Sequence, residues 1–169
     1  MKQKNAGDVV KGAVAGLVGG IVASFVMSQF QALVTTLGDA EEKQKSKKKT
    51  EEPTTVKAAK QISEGVFGHK LTKSEKDTAG EAVHYAMGAS SGLIYGVAAE
   101  IEPLTTVGVG MPFGTAVWLI ADDVVVPTLG LSRSPTAYPL TTHAYAISSH
   151  LVYGLTTEVT RRAVRKFLG

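Results

Sequence analysis

The chain has 169 residues, a formal net charge of +3 and a mean hydropathy of +0.08, and 44% of its residues are hydrophobic. It has no cysteine, which excludes a disulfide framework and a thiolate metal site. This average combines two kinds of segment. Residues 39–77 hold over half of the charged side chains, and the remainder of the chain is largely apolar.

The first apolar segment predicts a membrane-spanning helix over about residues 9–37. From Gly12 to Gly38 it has no ionisable side chain. It also exceeds the roughly 7–15 apolar residues of a signal peptide, so we expect a retained helix. Gly12 and Gly16 stand four residues apart, a spacing that lets another helix approach closely inside a membrane.

Residues 38–78 predict a hydrophilic connection, because they are too charged to bury a core. We expect most of it to be a solvated loop. Thr54 and Thr55 can start a short helix with one apolar side, which could lie on the membrane surface. The lysine-rich run at residues 45–49 has glutamates close by in the chain and no aromatic neighbours, so we expect no binding to nucleic acid.

The second predicted span covers about residues 79–100, in a helix that begins in water near Lys73. Thr72 and Glu75 have the spacing of a capping box, which predicts that start. His84 lies near the point where the helix enters the membrane. Two overlapping Gly-x-x-x-Gly units predict a further helix contact, and they are formed by Gly88, Gly92 and Gly96.

Two more apolar segments predict spans over about residues 104–126 and 137–160. Asp122 and Asp123 interrupt the third span near its end, and the fourth carries His143 and His150 on one helical face. The uncharged part of the fourth segment has roughly 23 residues, enough to cross a hydrocarbon core of about 30 Å. Basic residues follow, where they can reach lipid headgroups and mark a cytoplasmic end: Arg161, Arg162, Arg165 and Lys166.

These segments predict an all-α membrane protein, one domain over residues 1–169 with four transmembrane helices. The basic residues near both termini favour termini in the cytoplasm, whereas the ten lysines of the first connection favour the opposite orientation. A re-entrant first helix remains an alternative. We also expect a homo-oligomer or a larger membrane complex, because the glycine faces exceed what one small bundle obviously uses.

Three stretches resemble the YagU-like family of small bacterial inner-membrane proteins of unknown function: HYAMGASSGLIYG, FGTAVWLIADDVVVPTLGLS and PTAYPLTTHAYAISSHLVYGLTTE. The resemblance covers the last half of the chain well and the first helix loosely, and it does not extend to residues 39–77. It implies a multi-pass protein of the bacterial inner membrane with a link to acid resistance. It implies no catalytic residue and no cofactor.

Ionisable residues of three spans are predicted to meet near one membrane face. Successive spans alternate in direction, so the start of the second, the end of the third and the start of the fourth share a side. His84, Asp122, Asp123 and His143 would therefore lie near one leaflet, with His150 about 10 Å deeper along its helix. Buried ionisable groups in spans usually pair or line a polar path. The simpler interpretation, that each residue is interfacial or hydrogen-bonded locally, remains open.

Two functions are compatible with this cluster. The first is a structural or envelope-stress role, including acid resistance, in which the histidines take up protons. No catalytic motif is present in the sequence, so we expect no enzymatic turnover and no cofactor. The second is a bundle that passes protons or ions, or that binds a haem or metal ion. His84 and His143 would then be the ligands, with Asp122 orienting one imidazole ring.

Overall fold

The computed structural model describes residues 5–42 and 52–169, and every regular element in these ranges is helical, as predicted. We number the five long helices in chain order. They are α1 (Ala6–Glu42), α2 (Thr54–Phe67), α3 (Lys73–Ile101), α4 (Met111–Trp118, continued by the π-helical stretch Leu119–Val125 and by Val126–Thr128) and α5 (Leu140–Leu168). The lysine-rich run at residues 45–49 lies outside the described residues.

The capping box at the start of α3 is confirmed. The Thr72 backbone N–H donates to the Glu75 carboxylate over 2.8 Å, and the Thr72 side chain faces the N–H of Glu75 in return. The short helix predicted within the charged connection is also present as α2, which packs its Val56 and Ala59 side against the first turns of α3.

The predicted start of the third helix, near residue 104, is wrong. A 3-10 turn over Pro103–Thr106 comes first, and Gly108, Val109 and Gly110 then have positive φ angles. A right-handed helix cannot continue through such angles, so α4 begins only at Met111. The predicted start of α3 near Lys73 is confirmed. Two other boundaries move less: α1 extends to Glu42, and the last helix runs from Leu140 to Leu168.

Glycines allow the helices to approach each other closely. A Cβ atom added at Gly16 would overlap the carbonyl oxygen of Gly92, and one added at Gly96 would overlap that of Gly12. Gly88 faces Ser24 and Gly20 in the same antiparallel contact between α1 and α3. All five glycines predicted to pack helices therefore do so inside one chain. The spare glycine faces from which we predicted self-association are occupied, so that reason for an oligomer no longer holds.

Small and polar side chains make up much of the bundle interior, beside one apolar cluster around Met27 and Tyr153. Ala15, Ala23, Ser24 and Ser149 are fully or almost fully buried. Large apolar side chains lie outside on every long helix, with Phe25, Ile94, Ile120 and Val159 each more than half exposed. The distribution is the reverse of that in an ordinary water-soluble core.

Among the described residues, one helix is long and apolar enough to cross a membrane, namely α1 over Ala6–Leu37. The helices α3 and α5 have 29 residues each. A helix of that length is about 43 Å long. Neither α3 nor α5, however, contains a continuous stretch as apolar as that of α1.

Candidate functional site

A cleft separates α3 from α4. The helix α1 packs against α3 and α5, and α4 packs against α5. The rings of Tyr95 on α3 and Phe113 on α4 stack with centroids 4.2 Å apart. One turn beyond this stack, at Ser91 and Val117, the two helices begin to line a cleft of about 930 Å³.

Four other parts of the chain complete the cleft. Its floor is formed by α1 and α5. Its end near the hydrophilic connection (residues 38–78) is covered by α2 and by Leu131 in the turn after α4. Lys57 of α2 donates from Nζ to the Leu131 carbonyl over 3.0 Å, which ties these two covering segments together. At the opposite end, the Tyr153 hydroxyl donates to the Gly88 carbonyl over 2.7 Å. A hydrogen bond between two chain segments therefore lies near each end of the cleft.

Three of the five predicted polar residues line this cleft: His84, Asp122 and His150. His150 Nδ1 is 3.8 Å from Asp122 Oδ2 and 2.9 Å from the Ala146 carbonyl oxygen. The His150 side chain is 10% exposed, whereas that of Asp122 is 41% exposed. The carboxylate of Asp122 is therefore the more accessible member of the pair.

His84 is held against α1 rather than against another histidine. Its Nε2 lies 3.3 Å from the Ser24 carbonyl oxygen and 3.4 Å from Ser28 Oγ. His143 makes separate contacts, with Nε2 3.0 Å from the Pro135 carbonyl oxygen and its ring edge-on to Trp118. The two rings proposed as haem or metal ligands thus have different local partners. In the described part of the chain, no group of three histidine and carboxylate side chains could hold a metal ion.

An ion-pair network lies at the opposite end of the bundle, and sequence analysis missed it. We call this end the charged end. Arg161 donates to the fully buried Glu158 carboxylate from Nε over 2.6 Å and from Nη2 over 3.0 Å. Arg165 donates from Nε to Glu100 over 3.0 Å and from Nη2 to Asp8 over 2.9 Å. The network connects α1, α3 and α5, and Arg162 also pairs with Glu158.

The expectation that the basic residues after the fourth span all reach lipid headgroups is wrong for Arg161, which is only 7% exposed. Arg165 is likewise occupied by two carboxylates. The spacing of Glu158 from Arg161 and Arg162, three and four residues along a helix, is the pattern that could have indicated this pairing.

The cleft and the network are joined by one buried side of α5. Ser149 and Thr157 are completely buried, and each donates its hydroxyl to the carbonyl four residues earlier in the helix. His150 lies at the cleft end of this side and Arg161 at the charged end, with Tyr153 and Glu158 between them. A continuous series of buried polar side chains therefore runs along the inner face of α5.

Outside the predicted spans, the exposed carboxylate of Glu75 and the half-buried one of Glu52 organise the connection between α2 and α3. The Thr72 backbone and side chain, together with His69, donate to Glu75 and lower its pKa to about 2. Hydrogen bonds from Lys76 and Lys60 lower the pKa of Glu52. Because Lys60 belongs to α2 and Lys76 to α3, Glu52 links the two helices.

Fold and site together define a class of protein: a glycine-packed helical bundle with an apolar exterior and a polar interior. The sequence pattern of DUF1440, a protein family of unknown function, matches residues 39–159. The chain belongs to this family. The match includes the charged segment that the resemblance noted above did not cover. No curated protein and no solved structure matches the chain.

Proposed function

We propose that the protein is a four-span bacterial inner-membrane protein related to the YagU-like proteins, with a structural or envelope-stress role and no catalytic turnover. The observation that supports it is the apolar exterior. Leaving a large apolar side chain in water rather than burying it costs roughly 1.5–3 kcal/mol, and such side chains face outward on all five helices. A lipid environment removes this cost.

The arrangement of the helix ends supports an even number of crossings. Asp8 near the start of α1 pairs with Arg165 near the end of α5, so both termini lie at the charged end. Glu100 at the end of α3 lies there too. The helices α1, α3, α4 and α5 then cross in alternating directions. Even α4, the shortest, is about 27 Å long, close to the thickness of the hydrocarbon core.

The chain has no cysteine, so single cysteines can map its sides. We would place one each at the exposed positions Glu102, Ser134 and Lys166 and label intact cells with an impermeant maleimide. We expect Glu102 and Lys166 to be protected together in the cytoplasm and Ser134 to be labelled. Labelling of Glu102 and Ser134 from the same side would contradict four spans.

The cleft supports a proton-responsive role. Histidine is the residue type whose ordinary pKa of about 6.5 lies where mild acidification changes its charge. His84 and His150 line the cleft from two different helices. A proton on either ring adds charge inside the bundle, which would change the contact of His84 with α1 or that of His150 with Asp122 of α4.

Survival of a deletion strain at low pH tests this role. We expect the wild-type gene to restore survival, and a variant with His84→Gln and His150→Gln to restore it poorly. His143→Gln is the matched control, because His143 does not line the cleft. Full rescue by the double variant would remove these histidines from the mechanism.

Proton or ion passage is a second candidate, favoured by the polar inner side of α5. Buried ionisable groups within spans often mark such paths, and the buried hydroxyls of Tyr153 and Thr157 lie between His150 and Glu158 along one helix face. Purified protein in liposomes with an internal pH-sensitive dye should then speed proton entry under an imposed gradient. Rates equal to those of protein-free liposomes would reject this function. A bound haem or metal ion has less support, and an absorption spectrum with metal analysis of natively purified protein tests it.

A further inference from the structure

We propose that the cleft is a binding site for an amphiphile that carries a primary ammonium group, with the ammonium at Asp122 and the hydrocarbon chain along the wall of α4. The proposal rests on the proposed function in one respect, the location of the bundle in a membrane. The chemistry would fit the headgroup of an ethanolamine lipid or a long-chain amine.

The shape of the cleft suits a ligand of this size and direction of entry. A volume of about 930 Å³ lies near the top of the range of small-molecule pockets. Near one end Lys57 is bonded to the Leu131 carbonyl, and near the other Tyr153 is bonded to the Gly88 carbonyl, so these segments are held together at both ends. The cleft lies between α3 and α4, at the level that lipid chains occupy in a spanning bundle, so a lipid can enter between these two helices.

The wall of the cleft is apolar along most of its length. Met27 of α1 contributes to the floor, and Val117, Ala121 and Val125 succeed each other along α4. An alkyl chain placed along these side chains would remove apolar surface from water on both partners, at roughly 25 cal/mol per Å². An apolar chain therefore fits better here than a fully polar solute.

The charge of the cleft selects the headgroup. Asp77, Glu81 and Asp122 line it, and none of its lining residues in the described ranges is lysine or arginine. An anionic headgroup would be repelled at Asp122, and the Lys57 ammonium at the covered end donates to the Leu131 carbonyl. The Asp122 carboxylate is 3.8 Å from His150, beyond ordinary hydrogen-bond distance, and 41% exposed, so it can accept from a further donor.

A primary ammonium is the donor that matches this carboxylate. Its N–H groups can form short charge-assisted hydrogen bonds with Asp122, which a trimethylammonium group cannot form because it has no N–H. A divalent cation has less to hold it, because no group of three ligating side chains exists in the described part of the chain.

The test uses the full-length protein purified in a neutral maltoside detergent. Binding of phosphatidylethanolamine, phosphatidylcholine and phosphatidylglycerol is measured by native mass spectrometry, and that of dodecylamine and dodecanol by thermal shift. We expect the ethanolamine lipid to bind about tenfold or more tightly than the other two lipids. Dodecylamine should stabilise the protein while dodecanol does not. Preferential binding of the ethanolamine lipid together with stabilisation by dodecylamine supports the ammonium as the recognised group; equal stabilisation by dodecylamine and dodecanol, or by neither, would overturn it.

Asp122→Asn is the decisive variant and Asp123→Asn its matched control, since Asp123 does not line the cleft. We expect Asp122→Asn to lose the preference for the ammonium and Asp123→Asn to keep it. If Asp122→Asn does not fold, Ala121→Phe, which places a phenyl ring in the cleft next to Asp122, should weaken binding instead. Equal binding of all three lipids, or unchanged preference in Asp122→Asn or unchanged binding in Ala121→Phe, would overturn the proposal.

Failure of this inference is distinguishable from failure of the proposed function. Cell fractionation and cysteine labelling report whether the bundle spans the inner membrane, whatever it binds. A spanning protein without headgroup preference would reject only the ligand. A protein found in the soluble fraction would reject the membrane assignment, and the dodecylamine measurement would still decide whether the cleft binds an ammonium amphiphile.

Discussion

Arg165 of α5 donates to Asp8 of α1 over 2.9 Å, which joins two residues from opposite ends of the chain. The same guanidinium donates to Glu100 of α3 over 3.0 Å. Three helices are therefore locked together at the charged end, and the cleft lies at the other end of the same helices. Changes at either end can be tested separately.

The first prediction concerns the buried carboxylate of Glu158. We expect Glu158→Ala to lower the free energy of unfolding by about 3–5 kcal/mol, because it leaves the buried Arg161 without its closest partner. Unfolding of the purified protein in mixed micelles with increasing sodium dodecyl sulfate measures this change.

Arg162→Ala is the control for that measurement. Arg162 pairs with the same carboxylate, but its side chain is 54% exposed. Arg162→Ala should lower the free energy of unfolding by less than about 1 kcal/mol, as for other exposed ion pairs. If both variants lowered the free energy of unfolding by the same amount, Glu158 and Arg161 would not form a buried pair.

The second prediction concerns the contact between α1 and α3. A Cβ atom at Gly92 would overlap the Gly16 carbonyl oxygen, so Gly92→Ala must push the helices apart. We expect Gly92→Ala to lower the free energy of unfolding by about 1–3 kcal/mol, which is typical of overpacking. In α2, Gly65 has open space around its Cβ position, so Gly65→Ala should instead stabilise by roughly 0.5–1 kcal/mol.

Thermal unfolding followed by circular dichroism compares these two glycine variants. Native mass spectrometry of Gly92→Ala adds a second readout. Because the glycines pack within one chain, we expect its stability to fall without a change in the number of subunits. A change in subunit number at unchanged stability would show that the glycines pack between chains.

The third prediction concerns the capping box of α3. Hydrogen bonds from Thr72 and His69 lower the pKa of Glu75 from 4.5 to about 2. A carboxylate with a lowered pKa in the folded state contributes stability above pH 4.5, and this contribution is lost as the pH falls from about 4.5 to about 2. We expect faster amide exchange in the first turn of α3 across that interval.

Glu75→Gln is the matched variant for the capping box. Glutamine keeps a capping acceptor but does not titrate, so its first turn should show no such loss in that interval. Hydrogen exchange followed by mass spectrometry, after correction for the intrinsic pH dependence of exchange, measures both proteins. Identical pH profiles would contradict the assignment to Glu75.

The fourth prediction concerns the cover of the cleft. Lys57→Met removes the bond to the Leu131 carbonyl while keeping a side chain of similar length. We expect α2 to exchange its amide hydrogens faster, with a local loss of about 1 kcal/mol. Lys73→Met is the control, because Lys73 is exposed at the start of α3. Equal amide exchange rates of α2 in both variants would show that the bond from Lys57 to Leu131 does not hold α2 in place.

The sequence by itself determined the helical class, the long first helix and the start of α3. These features depend on neighbours a few residues apart: an uncharged run from Gly12 to Gly38, and the spacing of Thr72 from Glu75. The positions of the packing glycines were also predictable, since small residues at every fourth position mark a helix contact. Local interactions are enough for such predictions, because their partners are adjacent in the chain.

Only the tertiary structure decided which partner each residue meets. Asp122 lines the cleft and Asp123 does not, because adjacent residues of a helix point about 100° apart and the rotation of α4 turns only Asp122 toward the cleft. The glycines of α1 meet those of α3 in the same chain, and Arg161 is buried rather than at the headgroups. The physical reason is that such contacts depend on the rotation and register of whole helices, which are set by packing between residues far apart in the sequence.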